Sequence, residues 1–164
     1  MDLIDRRNKM KDYYKNLPKK RMGVGALLFN EKRQFLIVKP NYKTEWSIPG
    51  GVVEENESPL IACIREVKEE IGLDIESFNF LAVEYKKGTN DKSESLQFIF
   101  STVELSQSQI LKIRIDGKEL IDFKFVEAQK AAMLLEGGLK ERMPLCLKAL
   151  EEKRIIYIEN SKLK

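Results

Sequence analysis

Residues 58–72, SPLIACIREVKEEIG, leave this chain few choices locally. Ser58 is a helix N-cap residue, Pro59 fits the first helical position, and Gly72 supplies a C-terminal stop. Leu60, Ile64, Val67 and Ile71 follow the 4-3-4 spacing of one buried face. At roughly 100° per residue they fall within about 60° of arc. A helix over 59–71, laid by one stripe against a core, is the fixed point from which the rest is read.

The acids on that helix are arranged for more than solubility. Glu66, Glu69 and Glu70 stand at i, i+3 and i+4, so their carboxylates share one side of the helix, with Glu70 nearest the apolar stripe and Glu69 furthest from it. Like charges so close repel, and a solvated helix face would more often interleave lysines. A divalent cation turns the repulsion into binding, because Mg2+ takes a few carboxylates plus water and phosphate oxygens. The whole chain has no histidine. That removes Ser–His hydrolases, His-ligated zinc and phosphohistidine chemistry together, and leaves hard cations, Mg2+ or Mn2+, for any metal site.

Around the helix, apolar β segments are expected at 22–29, 34–38, 78–86, 95–103 and 119–126, with a hairpin turn at 30–33 and a short strand at 46–48. Helices are expected at 128–135 and 144–152, and a last strand at 155–158. Strands before and after a central helix predict an α/β fold, an α/β/α sandwich with a mixed β-sheet. With 164 residues, 43% of them hydrophobic, one domain accounts for residues 21–164. Residues 1–20 form a basic extension, expected to be helical and packed on the domain, with Tyr13 and Tyr14 pinning it against the domain or a second subunit; a solvated, partly helical arm is the blander reading. Met1 to Arg21 holds eight Lys/Arg against three acids, a local net of +5, which leaves −2 for the remainder of a chain whose total is +3.

From Gly51 the chain reads glycine, five residues, Glu57, seven residues, and then REVKEEIGL from Arg65 to Leu73. This matches without departure the signature of the Nudix hydrolases, G-x5-E-x7-R-E-U-x-E-E-x-G-U, where U is a bulky aliphatic. A chance match is on the order of 10⁻⁸ or less per window at ordinary residue frequencies. The lead-in WSIPGG from Trp46 to Gly51 also resembles the family. The resemblance implies Mg2+-dependent cleavage of a diphosphate bond, with Mn2+ as a substitute. It implies metal binding by Glu66, Glu69, Glu70 and the Gly51 carbonyl, assistance from Glu57, and Arg65 holding loop carboxylates in place. Glu66 is the leading candidate for the base. Glu94 and Glu119 are the candidates for an acid from a later loop, as some members use.

The substrate is expected to be a small nucleotide-type diphosphate, a nucleoside triphosphate or nucleotide sugar, since no marker of the coenzyme- or dinucleotide-cleaving subgroups stands around the box. Lys39, Lys43 and Arg33 are candidate phosphate contacts, and Tyr42 and Trp46 candidate stacking residues, with Trp46 reading first as a packing residue. The small net charge gives no support to duplex binding, while the basic arm leaves an RNA 5′ end open as substrate. The competing reading is a nucleotide-sensing module without turnover; such a module would be expected to lose box glutamates, and none is lost. A homodimer is an expectation carried by the resemblance. Two unpaired cysteines, no signal peptide and no long apolar run predict a cytoplasmic protein with no membrane contact.

Overall fold

The computed structural model describes residues 3–115 and 117–164, residues 3–5 by backbone alone, so Met1 and Asp2 of the basic arm lie outside the described residues. In chain order the first half comprises α1 (Leu3–Lys15), β1 (Arg21–Leu27), β2 (Phe35–Pro40), α2 (Pro59–Ile71), β3 (Asn79–Lys86) and β4 (Ser95–Ser101). The second half comprises α3 (Gln107–Ile110), β5 (Leu120–Val126), α4 (Ala128–Leu134), α5 (Gly137–Glu151), β6 (Ile156–Glu159) and β7 (Lys162–Leu163).

A five-stranded mixed sheet runs in the order β1-β4-β3-β6-β7, with β1–β4 and β3–β6 parallel and the other pairs antiparallel. Period-two alternation along β1 separates two cores. Val24 and Ala26 face the side covered by α2, through Ala62, Cys63, Val67 and Ile71. Leu27 faces the side covered by α4 and α5, through Ala131, Met143, Cys146 and Ala149. The fold is therefore the expected α/β/α layering. Among the described residues, no helix is long and apolar enough to cross a membrane.

Helix α2 carries the caps read from its sequence. Ser58 Oγ accepts from Ile61 N, and Gly72, at φ 74°, donates its N–H to Lys68 O. Its buried face differs from the expected one. Leu60 is 40% exposed, while Ala62 and Cys63 are fully buried. The helix is rolled toward the row 62-66-70, which carries Glu66 and Glu70 from its flank into half-burial. That roll is the main structural fact about the site.

Other expectations are corrected. The turn at 30–33 forms, with Asn30 N donating to Gln34 O, but the strands it joins share only the Phe29–Phe35 bridge. Beyond it they part: β1 stays in the main sheet and β2 pairs antiparallel with β5. Trp46–Ile48 is no strand. Ser47 bridges Val38 and Trp46 bridges Leu135, so the segment stitches β2 to the end of α4. Helix α5 begins at Gly137, seven residues before Pro144. Residues 6–20 of the arm are exposed throughout, and Lys20 ties its end to the domain through Glu94. On α1 the basic residues flank a narrow row carrying Met10 and Tyr14, each at least 60% exposed. Tyr13 and Tyr14, each 63% exposed, stack edge-to-face on one another at 5.5 Å.

Candidate active site

The site is built where α2 meets the turn that ends in Gly50-Gly51. Gly50 sits at φ 144°, and a Cβ there would lie 2.8 Å from Gly25 Cα. Such a Cβ would force the turn off β1. A Cβ on Gly51 would lie 2.6 Å from Glu66 Cδ. The two glycines let the backbone press against both strand and helix. In return, Gly50 N donates to Glu70 Oε2 at 2.8 Å. The Gly51 carbonyl, expected as a metal ligand, accepts from Val24 N at 2.9 Å, so only its second lone pair is left for any other partner.

Arg65 is the hub of the carboxylates. Its Nε and Nη2 grip both oxygens of Glu57 at 2.9 and 3.0 Å, its Nη1 reaches Glu66 at 2.8 Å and Glu69 at 3.1 Å, and Nη2 also donates to the Val52 carbonyl. The planar fork suits this, since a lysine could satisfy one carboxylate but not span three. Contact with the Arg65 guanidinium, helped by Glu54 N–H, holds the Glu57 carboxyl below the usual range. The same carboxylates raise the Arg65 pKa further.

The other two glutamates are strained electrostatically. Burial pushes the Glu66 carboxyl up against the opposing pull of Arg65, and the charges of Glu69 and Glu119 add to the rise. Burial likewise lifts Glu70 to about 7, with Glu66 and Glu119 raising it and the Gly50 N–H and Lys43 lowering it. Glu119, at the foot of β5, is thereby brought to the cluster. Glu94 is not: it pairs with Lys20 at 2.6 Å and accepts from Tyr85 Oη at 2.8 Å, and these contacts hold its carboxyl below the usual range.

Glu57, Glu66, Glu69, Glu70 and Glu119 thus face Arg65 and Lys43, a clear shortfall of positive charge. Among the described residues no three acidic side chains converge on one point, because Arg65 and Gly50 N–H draw them apart. The donor set nevertheless fits a hard divalent ion: carboxylate oxygens only, raised pKa values at the two buried members, and no soft ligand nearby. Cys63, the nearest thiol, is buried and its pKa is pushed up to about 12 by burial.

A cleft of about 520 Å³ opens beside the turn, bordered by Tyr42, Lys43, Trp46, Gly50 and Gly51. It is also bordered by Gln97, Glu136, Leu139 and Arg142, which sequence reasoning missed. Lys39 is not among its lining residues. That side chain donates to the Thr44 carbonyl and lies 6.0 Å from the Trp46 ring. Trp46 carries Lys124 Nζ at 3.8 Å over its face, so its ring both packs and lines. Arg33 lies in a separate groove at the other end of the sheet, with Phe29 and Leu150.

The chain is similar to known proteins in sequence and in fold. The sequence model of the NUDIX domain matches residues 19–146. An 8-oxo-dGDP phosphatase of Danio rerio is 41% identical over 129 residues, 73% of this chain and 38% of that protein. An RNA pyrophosphohydrolase of Ruthia magnifica subsp. Calyptogena magnifica is 40% identical over 62 residues, 38% of this chain and 35% of that protein. The chain thus spans little more than a third of the length of these curated relatives. In fold, it is similar to the crystal structure of a MutT protein from Methanosarcina mazei Go1, at a TM-score of 0.65 and 22% identity, covering 84% of this chain and 99% of that one.

Proposed function

The chain belongs to the NUDIX domain family, and from that premise we propose that it is a Mg2+-dependent hydrolase cleaving a diphosphate bond in a nucleoside diphosphate-linked substrate. A nucleoside triphosphate or nucleotide sugar is the expected class, and Mn2+ the expected substitute ion. One observation carries the reading: Glu57, Glu66 and Glu69 are gathered on Arg65 and Glu70 on the Gly50 N–H, short of positive charge, beside a cleft wide enough for a nucleotide. The relatives named as an 8-oxo-dGDP phosphatase and an RNA pyrophosphohydrolase are consistent with it.

A diphosphate resists hydrolysis because its charged oxygens repel a nucleophile. Divalent cations held by Glu66, Glu69, Glu70 and the free lone pair of the Gly51 carbonyl would supply charge neutralisation and a more acidic water. The protein's own groups do the remainder. Glu66, with its pKa raised by burial, accepts the proton of the attacking water. Glu57 and Arg65 fix the carboxylates in place. Lys43, near Glu70, attracts the substrate phosphates into the cleft.

The direct test is phosphate and nucleotide release from a panel of nucleoside triphosphates, nucleotide sugars, ADP-ribose, dinucleoside polyphosphates and 5′-triphosphorylated RNA. Metal-dependent turnover that Glu69→Gln removes is the expected result. Turnover of no member, with metal-dependent binding of one, would convert the reading to a nucleotide sensor. An RNA 5′ end is the second reading, favoured by the RNA pyrophosphohydrolase relative and the exposed basic side chains of residues 6–20. A preference for the RNA member of the panel would select it.

Arg65→Lys keeps the charge but removes the fork. Turnover should fall about 10- to 100-fold, the usual consequence of losing a group that orients metal ligands. Measured kcat/KM together with the Mg2+ concentration for half activation checks this; an unchanged metal requirement would deny Arg65 the positioning role.

A further inference from the structure

The main sheet is fully covered on one face and half open on the other. Ala82, Ile99, Ile156 and Ile158 belong to the core under α4 and α5. Their strand neighbours Val83, Phe98 and Tyr157 therefore point to the α2 side. There α2 packs over β1 and the near side of β4, and the outward side chains of β3 and β6 stay open. Phe80, Tyr157 and the adjoining Ile155 are 37%, 42% and 63% exposed, and Val83, Leu96 and Phe98 are half-buried. The eight residues of β3 make this an apolar strip about 26 Å long, and three strands make it about 10 Å wide. A contiguous apolar surface of that kind marks a contact site.

An element of matching shape stands uncovered in the same chain. Helix α1, of 13 residues, is about 20 Å long and about 10 Å across. Met10, Tyr14 and Leu17, at i, i+4 and i+7, form one exposed row flanked by Arg6 and Arg7. The rim of the strip suits that flank. Glu94 and Glu159 accept from the hydroxyls of Tyr85 and Tyr157 beside it. Lys20, at the end of the arm, already bridges Glu94 at 2.6 Å, while Glu159 faces Lys164 at the longer distance of 3.9 Å.

The arm is placed to reach another molecule. Residues 18–20 are neither helix nor strand, and Pro18 disfavours helical backbone at Leu17, so α1 stands off its own domain with residues 6–20 exposed. We propose that two copies of the chain exchange their arms about a two-fold axis, each α1 lying on the open strip of β4, β3 and β6 of the other. Such exchange is a low-cost route to a dimer, since one contact is made twice. The helix footprint, covered from both sides at two places, is on the order of 800 Å² in plan and more on a corrugated surface. That approaches the about 1,000 Å² that a specific interface needs. Neither surface includes a residue of the cleft or of the carboxylate cluster, so the outcome does not depend on turnover.

Sedimentation equilibrium of the full chain between about 1 and 100 µM should show a concentration-dependent dimer. Met10→Asp combined with Tyr14→Asp puts charge into the row at exposed positions, where the domain's own packing is untouched. It should weaken the dimer at least about 100-fold and leave near-ultraviolet circular dichroism unchanged. Cross-linking identifies whose arm is held. Met10→Cys combined with Tyr157→Cys, treated with a short bismaleimide, should link chain to chain and run at twice the mass after denaturation. Cys63 and Cys146 are buried and do not compete. A dimer that the two aspartates leave intact, or a cross-link confined within single chains, overturns the proposal. A monomer throughout the concentration range also overturns it, and returns the arm to the RNA reading.

Discussion

Glu66→Gln should lower kcat by about three orders of magnitude, with substrate KM changed much less. General-base assistance contributes about 10²- to 10⁴-fold, and the substitution also removes a charged metal ligand. Glutamine is isosteric and keeps an oxygen for Arg65 Nη1, so the clamp that spans Glu57 and Glu69 survives and the loss reports on charge. The neighbouring candidates rank by geometry. Glu119 adds its charge to both Glu66 and Glu70, so Glu119→Gln should cost about 10-fold through the field it provides. Glu94 is engaged by Lys20 and Tyr85, and Glu94→Gln should leave turnover within a few-fold. Steady-state rates at saturating Mg2+ for the three variants order them. Were Glu119→Gln the most damaging, the base would be Glu119 and Glu66 a ligand alone.

What the sequence made legible here is local, and what it hid is long-range. The α2 helix, its caps and its row of acids are set by near neighbours, as is the glycine turn that must touch them. Half-burial of Glu66 and Glu70 was not legible, because the roll of α2 depends on how Ala62 and Cys63, poor markers of a stripe, fit against β1. The separation of β1 from β2 after a well-formed turn follows from β5, some 80 residues away, offering β2 a partner. Lys39 and Lys43 look alike in sequence, yet only Lys43 borders the cleft, since the Thr44 carbonyl draws Lys39 away. Arg142 had no local signal at all. It lies within an ordinary amphipathic helix, and its burial goes with Glu84 of β3, which its Nη1 bonds. The early start of α5 was hidden by Gly137-Gly138, a poor helix opening, with no side-chain cap at Glu136.

The carboxylate cluster also makes an unusual demand on stability, and Glu70 is where it is measured. In the metal-free protein burial holds its pKa at about 7 against 4.5 in the open chain. Below about pH 4.5 both states carry the proton and Glu70 contributes nothing to the pH slope. Between about 4.5 and 7 the unfolded chain releases its proton while the folded protein retains it, so folding stability falls as pH rises. Above 7 both states are ionised and the loss is complete, at most about 3 kcal/mol, which corresponds to roughly 5–10 °C in Tm for a domain of this size. Glu70→Gln keeps an acceptor for Gly50 N–H and removes the titration. In EDTA it should therefore melt with wild type near pH 5 and several degrees above it at pH 8. Added Mg2+ should close that gap from the wild-type side, because an ion bound to the folded state alone raises its stability. Glu70→Gln would then be the more stable protein without metal, the expected sign where a site concentrates charge for chemistry. A Tm difference between the two proteins that stays constant from pH 5 to 8 would mean that Glu70 ionises as freely in the fold as in the open chain, and that its burial carries no energetic weight.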